Sequence, residues 1–224
     1  MRCSACCGPD GVIRILIMES VREGPSFIEL ARRRQLVDAA IETIAEVGLA
    51  KASNAAIAAR AHVSPGLINY HFGSRQGLIE QMRATIQQRV DEAMEPIEAD
   101  DSYVSALEGM LRRFATYCLD NLPAMLVLTQ FTRHDQAGGA TEDTERVKGL
   151  EELRSFITEG QRCGQFRPTD ARLVASVLMN AMTDLPREIR DRGDTDRVVF
   201  ERDWPLLFVN SIAVTEGANH HGDG

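Results

Sequence analysis

Positive charge is in the minority in this chain. Its 224 residues hold 25 Lys and Arg against 33 Asp and Glu, a net charge of −8, which excludes a uniformly basic coat of the kind that binds nucleic acid everywhere. Long apolar runs are also missing. None approaches the roughly 18 residues that cross a bilayer, so a transmembrane helix is excluded. The stretch Val12–Met18 is apolar but short, and acidic Glu19 follows it; without a small-residue cleavage site it does not read as a signal peptide. Aromatics are scarce, at 5%, and there is one Trp. Cysteine comes to five, an odd count, which fits a reducing, cytoplasmic setting rather than a disulfide framework. Cys3, Cys6 and Cys7 form a C-x-x-C-C pattern. A metal or redox site is one reading of it. A dispensable tail is the other and the one adopted, because zinc wants four ligands and no second cluster lies nearby. No metal and no cofactor are expected.

What is present is helix. Strand signals are nearly absent, and apolar residues recur at helical spacing almost throughout. Charge is unevenly placed along this pattern. Residues 22–90 carry eight Arg and one Lys against six acids, a net +3, whereas residues 91–224 are net −11. A mildly basic third on an acidic remainder suggests two jobs. We therefore expect an all-α chain of about nine helices. Residues 1–25 are expected to be a disordered extension, 26–73 and 74–216 two helical domains, and 217–224 a disordered tail.

Local signals place the helices. "SFIE" opens the first with a capping box, Ser26 and Glu29, and Gly48 closes it. Ser53 caps a second. Ser64 caps a third, with Pro65 at its first position, where a missing N–H is harmless. Gly73-Ser74 breaks that helix, and a fourth runs from Ser74 to Met94. Ser102–Asn121 follows, and Pro123 opens the next. "DQAGGAT", Asp135–Thr141, reads as a loop, with Thr141 capping the helix after it. Thr169–Arg190 and Arg197–Thr215 are long and apolar.

Two short helices joined by three residues match helix-turn-helix geometry, in which the second helix enters the major groove. The stretch "AHVSPGLINYHF", Ala61–Phe72, then makes chemical sense. Ser53 and Ser64 offer hydroxyls to phosphates as well as caps. Pro65 starts the helix, and Gly66 lets the backbone come close. Leu67 suits a thymine methyl, and Asn69 has the donor–acceptor pair that fits adenine. Tyr70 and His71 donate to phosphates or bases, and Arg75 pairs a phosphate. Val63, Ile68 and Phe72 point to the small core.

The order of elements and their residues resembles the TetR (tetracycline repressor) family of bacterial transcriptional regulators. The resemblance lies in residues 31–80. It rests on "AAIETIAEVG", on S-x-x-x-I-A-x-x-A-x-V-S-x-G from Ser53 to Gly66, and on "YHFGSRQGL" from Tyr70 to Leu78. "RRRQLVDAAIETIAEVG" and "INYHF" are similar to the betaine-regulator branch. Two positions depart from the family pattern. His62 stands where Gly is usual, at a turn that often needs positive φ, which His tolerates better than most. Asn69 stands where Tyr is frequent.

The resemblance implies a repressor that binds palindromic double-stranded operator DNA as a homodimer and is released by an unknown small-molecule inducer, with 26–73 as its helix-turn-helix DNA-binding domain and 74–216 as its ligand-binding and dimerisation domain. It implies a pocket for which Met110, Phe114, Tyr117, Met125, Phe131, Phe156 and Met179 are candidate walls. It places the dimer interface on the last two long helices, with Val177, Met182, Phe200, Trp204, Leu207 and Phe208 as candidates. The alternatives are a helical adaptor or small-molecule-binding protein without DNA binding, and an enzyme. Glu-x-x-His, H-E-x-x-H, G-x-S-x-G and a P-loop are all missing, so no enzyme is expected.

Overall fold

The computed structural model of the chain describes residues 26–95, 102–138, 144–193 and 196–214. The expected extension, tail and Thr141 cap lie outside these residues. Nine α-helices are found among the described residues: α1 Phe27–Val47, α2 Asn54–Arg60, α3 Gly66–Phe72, α4 Arg75–Met94, α5 Tyr103–Asp120, α6 Leu122–Gly138, α7 Thr144–Arg162, α8 Ala171–Arg192 and α9 Trp204–Ile212. A lone antiparallel bridge joins Phe166 to Ala213.

The caps explain most boundaries. The Ser26 hydroxyl accepts from the Glu29 N–H at 3.3 Å and the Glu29 carboxylate accepts from the Ser26 N–H at 2.7 Å, the reciprocal pair of a capping box. Ser53, Ser74 and Ser102 cap α2, α4 and α5 through the N–H groups of Ala56, Gly77 and Ser105. Four boundaries differ from the sequence reading. Ser64 makes no capping bond, because α3 begins on Pro65 in helical conformation. Asp170 rather than Thr169 caps α8; its carboxylate reaches the Leu173 N–H at 2.9 Å. Asp135–Gly138 is helical, the end of α6, since Asp, Gln and Ala continue a helix already propagating. Finally, the last element is not one α-helix. Pro205 in the first turn of α9 has no N–H to donate, and the turn before it, Val199–Asp203, widens to a π-helix in which the Trp204 N–H reaches the Val199 carbonyl.

Two apolar clusters hold the helices together. One begins in α1 with Leu36, Ala40 and Ile44 and passes through Ile57 of α2 and Ile68 of α3. It continues through Leu78, Met82 and Ile86 of α4 into α5, α6 and Phe200. The other joins Leu107, Leu111, Ile157, Phe166, Leu178 and Val209 across α5, α7, α8 and α9. The first cluster ties α1 and the two short helices α2 and α3 to the body without a polar gap.

Candidate nucleic-acid interface and ligand cleft

Ile57 and Ile68 are 1% and 0% exposed, so each of α2 and α3 is pinned by a buried isoleucine, with Ala58 buried beside Ile57 in α2. Burial of one such side chain contributes about 1.5–3 kcal/mol, enough to orient a two-turn helix that would not persist alone. Between the helices, His62 takes φ 53°, and among the described residues it is the sole non-glycine with positive φ. The turn demands the left-handed conformation, as the departure from Gly suggested. At the other end Gly77 lets α4 approach α3. A Cβ there would lie 2.2 Å from the Phe72 carbonyl oxygen, so Ala does not fit.

With Ile68 inward, the opposite side of α3 faces solvent. Ser64, Pro65, Gly66, Asn69 and Tyr70 are all exposed, Leu67 and His71 half-buried. Tyr70 is 73% exposed, and its ring stands edge-on to His71, with centroids 5.0 Å apart. None of the Ser64, Asn69 and Tyr70 side chains has a hydrogen-bond partner among the described residues. From residue 47 to residue 79 the chain contains no Asp or Glu, while Lys51, Arg60 and Arg75 fall within that span. An acid-free stretch with unspent polar side chains on a rigid helix suits a polyanion with patterned edges.

Ser53 and Arg75 have structural duties. The Ser53 hydroxyl caps α2 at 3.1 Å. The Arg75 guanidinium donates to the Leu49 carbonyl at 2.9 Å and to Asn54 Oδ1 at 3.5 Å, leaving its remaining N–H groups for any outside partner. Leu49 is held from a second side, because its N–H donates to Gln130 Oε1 of α6 at 3.2 Å. The loop between α1 and α2 is thus gripped by both α4 and α6. Gln130 was not singled out in the sequence, where one polar residue in an apolar helix carries no signal.

A cleft of about 860 Å³ opens between α4, α6, α7 and α8. Phe114, Met125 and Met179 line it; Met110, Tyr117, Phe131 and Phe156 do not. Phe131 is buried in the first apolar cluster, and Met110 and Phe156 pack on the second. Tyr117 packs on the first, its hydroxyl buried without a partner among the described residues, and this burial raises its pKa. The sequence missed the polar rim, supplied largely by α4 and α7. Periodicity marks apolar faces, and a charged residue beside a cleft looks like any solvated one. Gly149 lets α7 approach α8 at this point: a Cβ would meet the Met179 methyl at 3.3 Å.

On α8 and α9, Val177 and Leu207 are 52% and 67% exposed, as an interface requires. Phe200 is not available to a partner: it is 2% exposed, within the chain's own core. Met182, Trp204 and Phe208 also pack internally. Leu173, Val198 and Val214 are exposed apolar side chains that the sequence reading passed over. Among the described residues no cluster of His, Cys, Asp or Glu is arranged to hold a metal ion, and no helix is long and apolar enough to cross a membrane.

Residues 36–82 match the family described as bacterial regulatory proteins, tetR family. The HTH-type transcriptional regulator BetI 1 of Chromohalobacter salexigens is 57% identical over 49 residues, which cover 22% of this chain and 24% of that protein. BetI of Escherichia coli is 44% identical over 63 residues, 28% of this chain and 32% of its own length. The chain thus spans about a quarter to a third of the length of the curated relatives it matches. A bacterial regulatory protein in the tetR family from Rhodococcus has a TM-score of 0.70 at 18% identity, covering 83% of this chain and 98% of that one. At that identity the likeness shows the fold.

Proposed function

We propose, from the premise that the helix-turn-helix domain belongs to the tetR family of bacterial regulatory proteins, that this chain is a DNA-binding transcriptional regulator of the cytoplasm. In this reading it represses as a homodimer on a palindromic operator and is released by a small molecule. The observation that carries it is the outward face of α3, where Ser64, Gly66, Asn69 and Tyr70 stand exposed on a buried Ile68 pivot. Asn69 reads a base edge, and Tyr70, His71 and the free N–H groups of Arg75 meet phosphates. The exposed apolar residues of α8 and α9, Leu173, Val177 and Leu207, meet their copies across a two-fold axis.

The cleft is the inducer site, and α6 is the element that links it to the DNA-binding end. Met125 and Thr129 line the cleft, and Gln130, the next residue, holds the Leu49 N–H. A ligand shifts the equilibrium only through different affinity for two arrangements of the dimer. The test is fluorescence anisotropy with the DNA upstream of the chain's own gene, against random DNA, at several salt concentrations. Tight binding that prefers the upstream DNA and weakens steeply with salt is expected. Absence of binding to either DNA by a folded dimer would overturn the reading of α3.

A further inference from the structure

The hydroxyl groups that line the cleft share one property: their hydrogens are already spent. The Thr129 hydroxyl donates to the Leu126 carbonyl and the Thr183 hydroxyl to the Met179 carbonyl, each at 2.8 Å. Gln87 and Gln88 each give an amide N–H to an acid on α4, Asp91 and Glu92, at 2.8 Å. The second amide hydrogens of these glutamines and further N–H groups of the cations remain, on side chains that already have partners. Arg146 donates to Asn180 at 3.0 Å, Lys148 lies 3.9 Å from Glu152, and Arg83 has a partner. A Thr whose proton sits on a helix carbonyl offers lone pairs and nothing else. Pro186 adds to the surplus, for it has no N–H to give to the Met182 carbonyl one turn earlier, and both residues line the cleft. The base of the cleft is electron-rich besides, with the Phe114 ring and the sulfurs of Met125, Met179 and Met182. Sulfur is a weak acceptor, and a ring face attracts a cation.

We propose that the cleft takes a ligand that brings its own donors: an apolar body carrying a protonated primary or secondary amine, and not a carboxylate or a phosphate. This inference rests on the cleft being the inducer site. The rim does not discriminate by charge, since Glu80, Asp91 and Glu152 balance Arg83, Arg146 and Lys148. Discrimination falls to the base. An ammonium there meets the free lone pairs of Thr129 and Thr183, and desolvated charge-assisted bonds are the strong ones. An anion meets the same lone pairs and finds no unspent hydroxyl hydrogen there; the spare N–H groups of the cleft belong to side chains already partnered on its polar rim, so an anionic head at the base is left uncompensated.

The experiment titrates the full chain with decylammonium and with decanoate, which share an alkyl body and differ in the head group, both below micelle formation. Calorimetry gives affinity. Emission of Trp204 reports occupancy, since it is the chain's one tryptophan and its ring centroid lies 6.5 Å from that of Phe114. Decylammonium is expected to bind at least about tenfold more tightly than decanoate. Thr183→Val, which keeps the shape and removes the oxygen, should lower decylammonium affinity by about tenfold and leave decanoate unchanged, the scale of one charge-assisted hydrogen bond. Thr183→Ser should restore it, and Thr129→Val is the independent second variant. Equal or tighter binding of decanoate, or indifference to both valine variants, overturns the amine proposal and leaves the cleft a binding site. No binding of either probe and no change in Trp204 emission overturns the inducer-site reading and the proposal with it.

Discussion

The outward face of α3 and the base of the cleft treat hydrogen bonding in opposite ways. On α3, Ser64, Asn69 and Tyr70 keep donors and acceptors unspent and facing solvent. In the cleft, Thr129 and Thr183 have given their hydrogens to their own helices. The partners proposed for each explain the difference. A major groove presents donors and acceptors in a pattern that changes from base pair to base pair, so its reader must keep both. A site for one small molecule meets one polarity and is preorganised for it. Leaving groups unspent costs little on α3 because water satisfies them until DNA arrives. In the half-enclosed cleft an unspent donor would cost more.

The comparison breaks most completely at the α3–α4 corner. Gly77→Ala places a methyl 2.2 Å from the Phe72 carbonyl oxygen. Backbone, not a flexible side chain, has to move. A loss of about 2–4 kcal/mol in urea unfolding is expected, with DNA affinity falling beyond detection. Gly66→Ala is the control on the same helix. Nothing lies within 4 Å of a Cβ there, so stability should hold or rise by a few tenths of a kcal/mol. DNA affinity should still drop about tenfold if the backbone approaches the groove closely. Full affinity in Gly66→Ala would mean that the helix stands farther off.

These two glycines also mark how far the sequence could be read. The N-terminal third was legible because short-range chemistry sets it. Serine caps, Pro65, Gly73 and the buried Ile57 and Ile68 act within a few residues of where they stand. His62 was legible for the same reason, since a φ of 53° belongs to the turn itself. The cleft was legible only in part. Phe114, Met125 and Met179 line it, but Phe131 is core, and nothing in helical spacing separates the two. Phe200 was assigned to an interface on its aromatic character, whereas it lies in the π-helical turn before Pro205 and is buried in the chain's own core. Gln130 and the spent hydrogens of Thr129 and Thr183 depend on which helix meets which, and that is decided by the whole core.

Asn69→Ala sharpens the α3 side. Its exposed side chain makes no hydrogen bond among the described residues, so stability should stay within about 0.5 kcal/mol. Binding should weaken by about 1–3 kcal/mol, with relaxed preference at one base position. Anisotropy on a set of single-base operator variants checks this; an equal loss on every variant would assign Asn69 to a phosphate. Arg75 is a mixed case, with a hydrogen bond to Leu49 at 2.9 Å and spare N–H groups. Arg75→Ala should cost about 1 kcal/mol in urea unfolding and lower the salt slope of DNA binding by about one unit. Arg75→Lys should recover the slope, which needs only a charge, and not the stability, which needs the planar fork. A slope unchanged in Arg75→Ala would confine Arg75 to holding the loop.

The smallest effect belongs to His62→Gly. Left-handed backbone costs an L-residue roughly 1 kcal/mol, and glycine removes that cost. Glycine also widens the unfolded ensemble, by a comparable roughly 0.5–1 kcal/mol. The exposed imidazole has no recorded partner among the described residues, so nothing else changes in the folded chain. The two effects nearly cancel, and the urea midpoint should move by the equivalent of no more than about 0.5 kcal/mol. DNA affinity then isolates the side chain. If the imidazole meets a phosphate, His62→Gly weakens binding on every sequence alike while stability stays level, and α3's face extends into the turn before it. If affinity is also unchanged, the face begins at Ser64, and His62 is simply a residue that a left-handed turn tolerates.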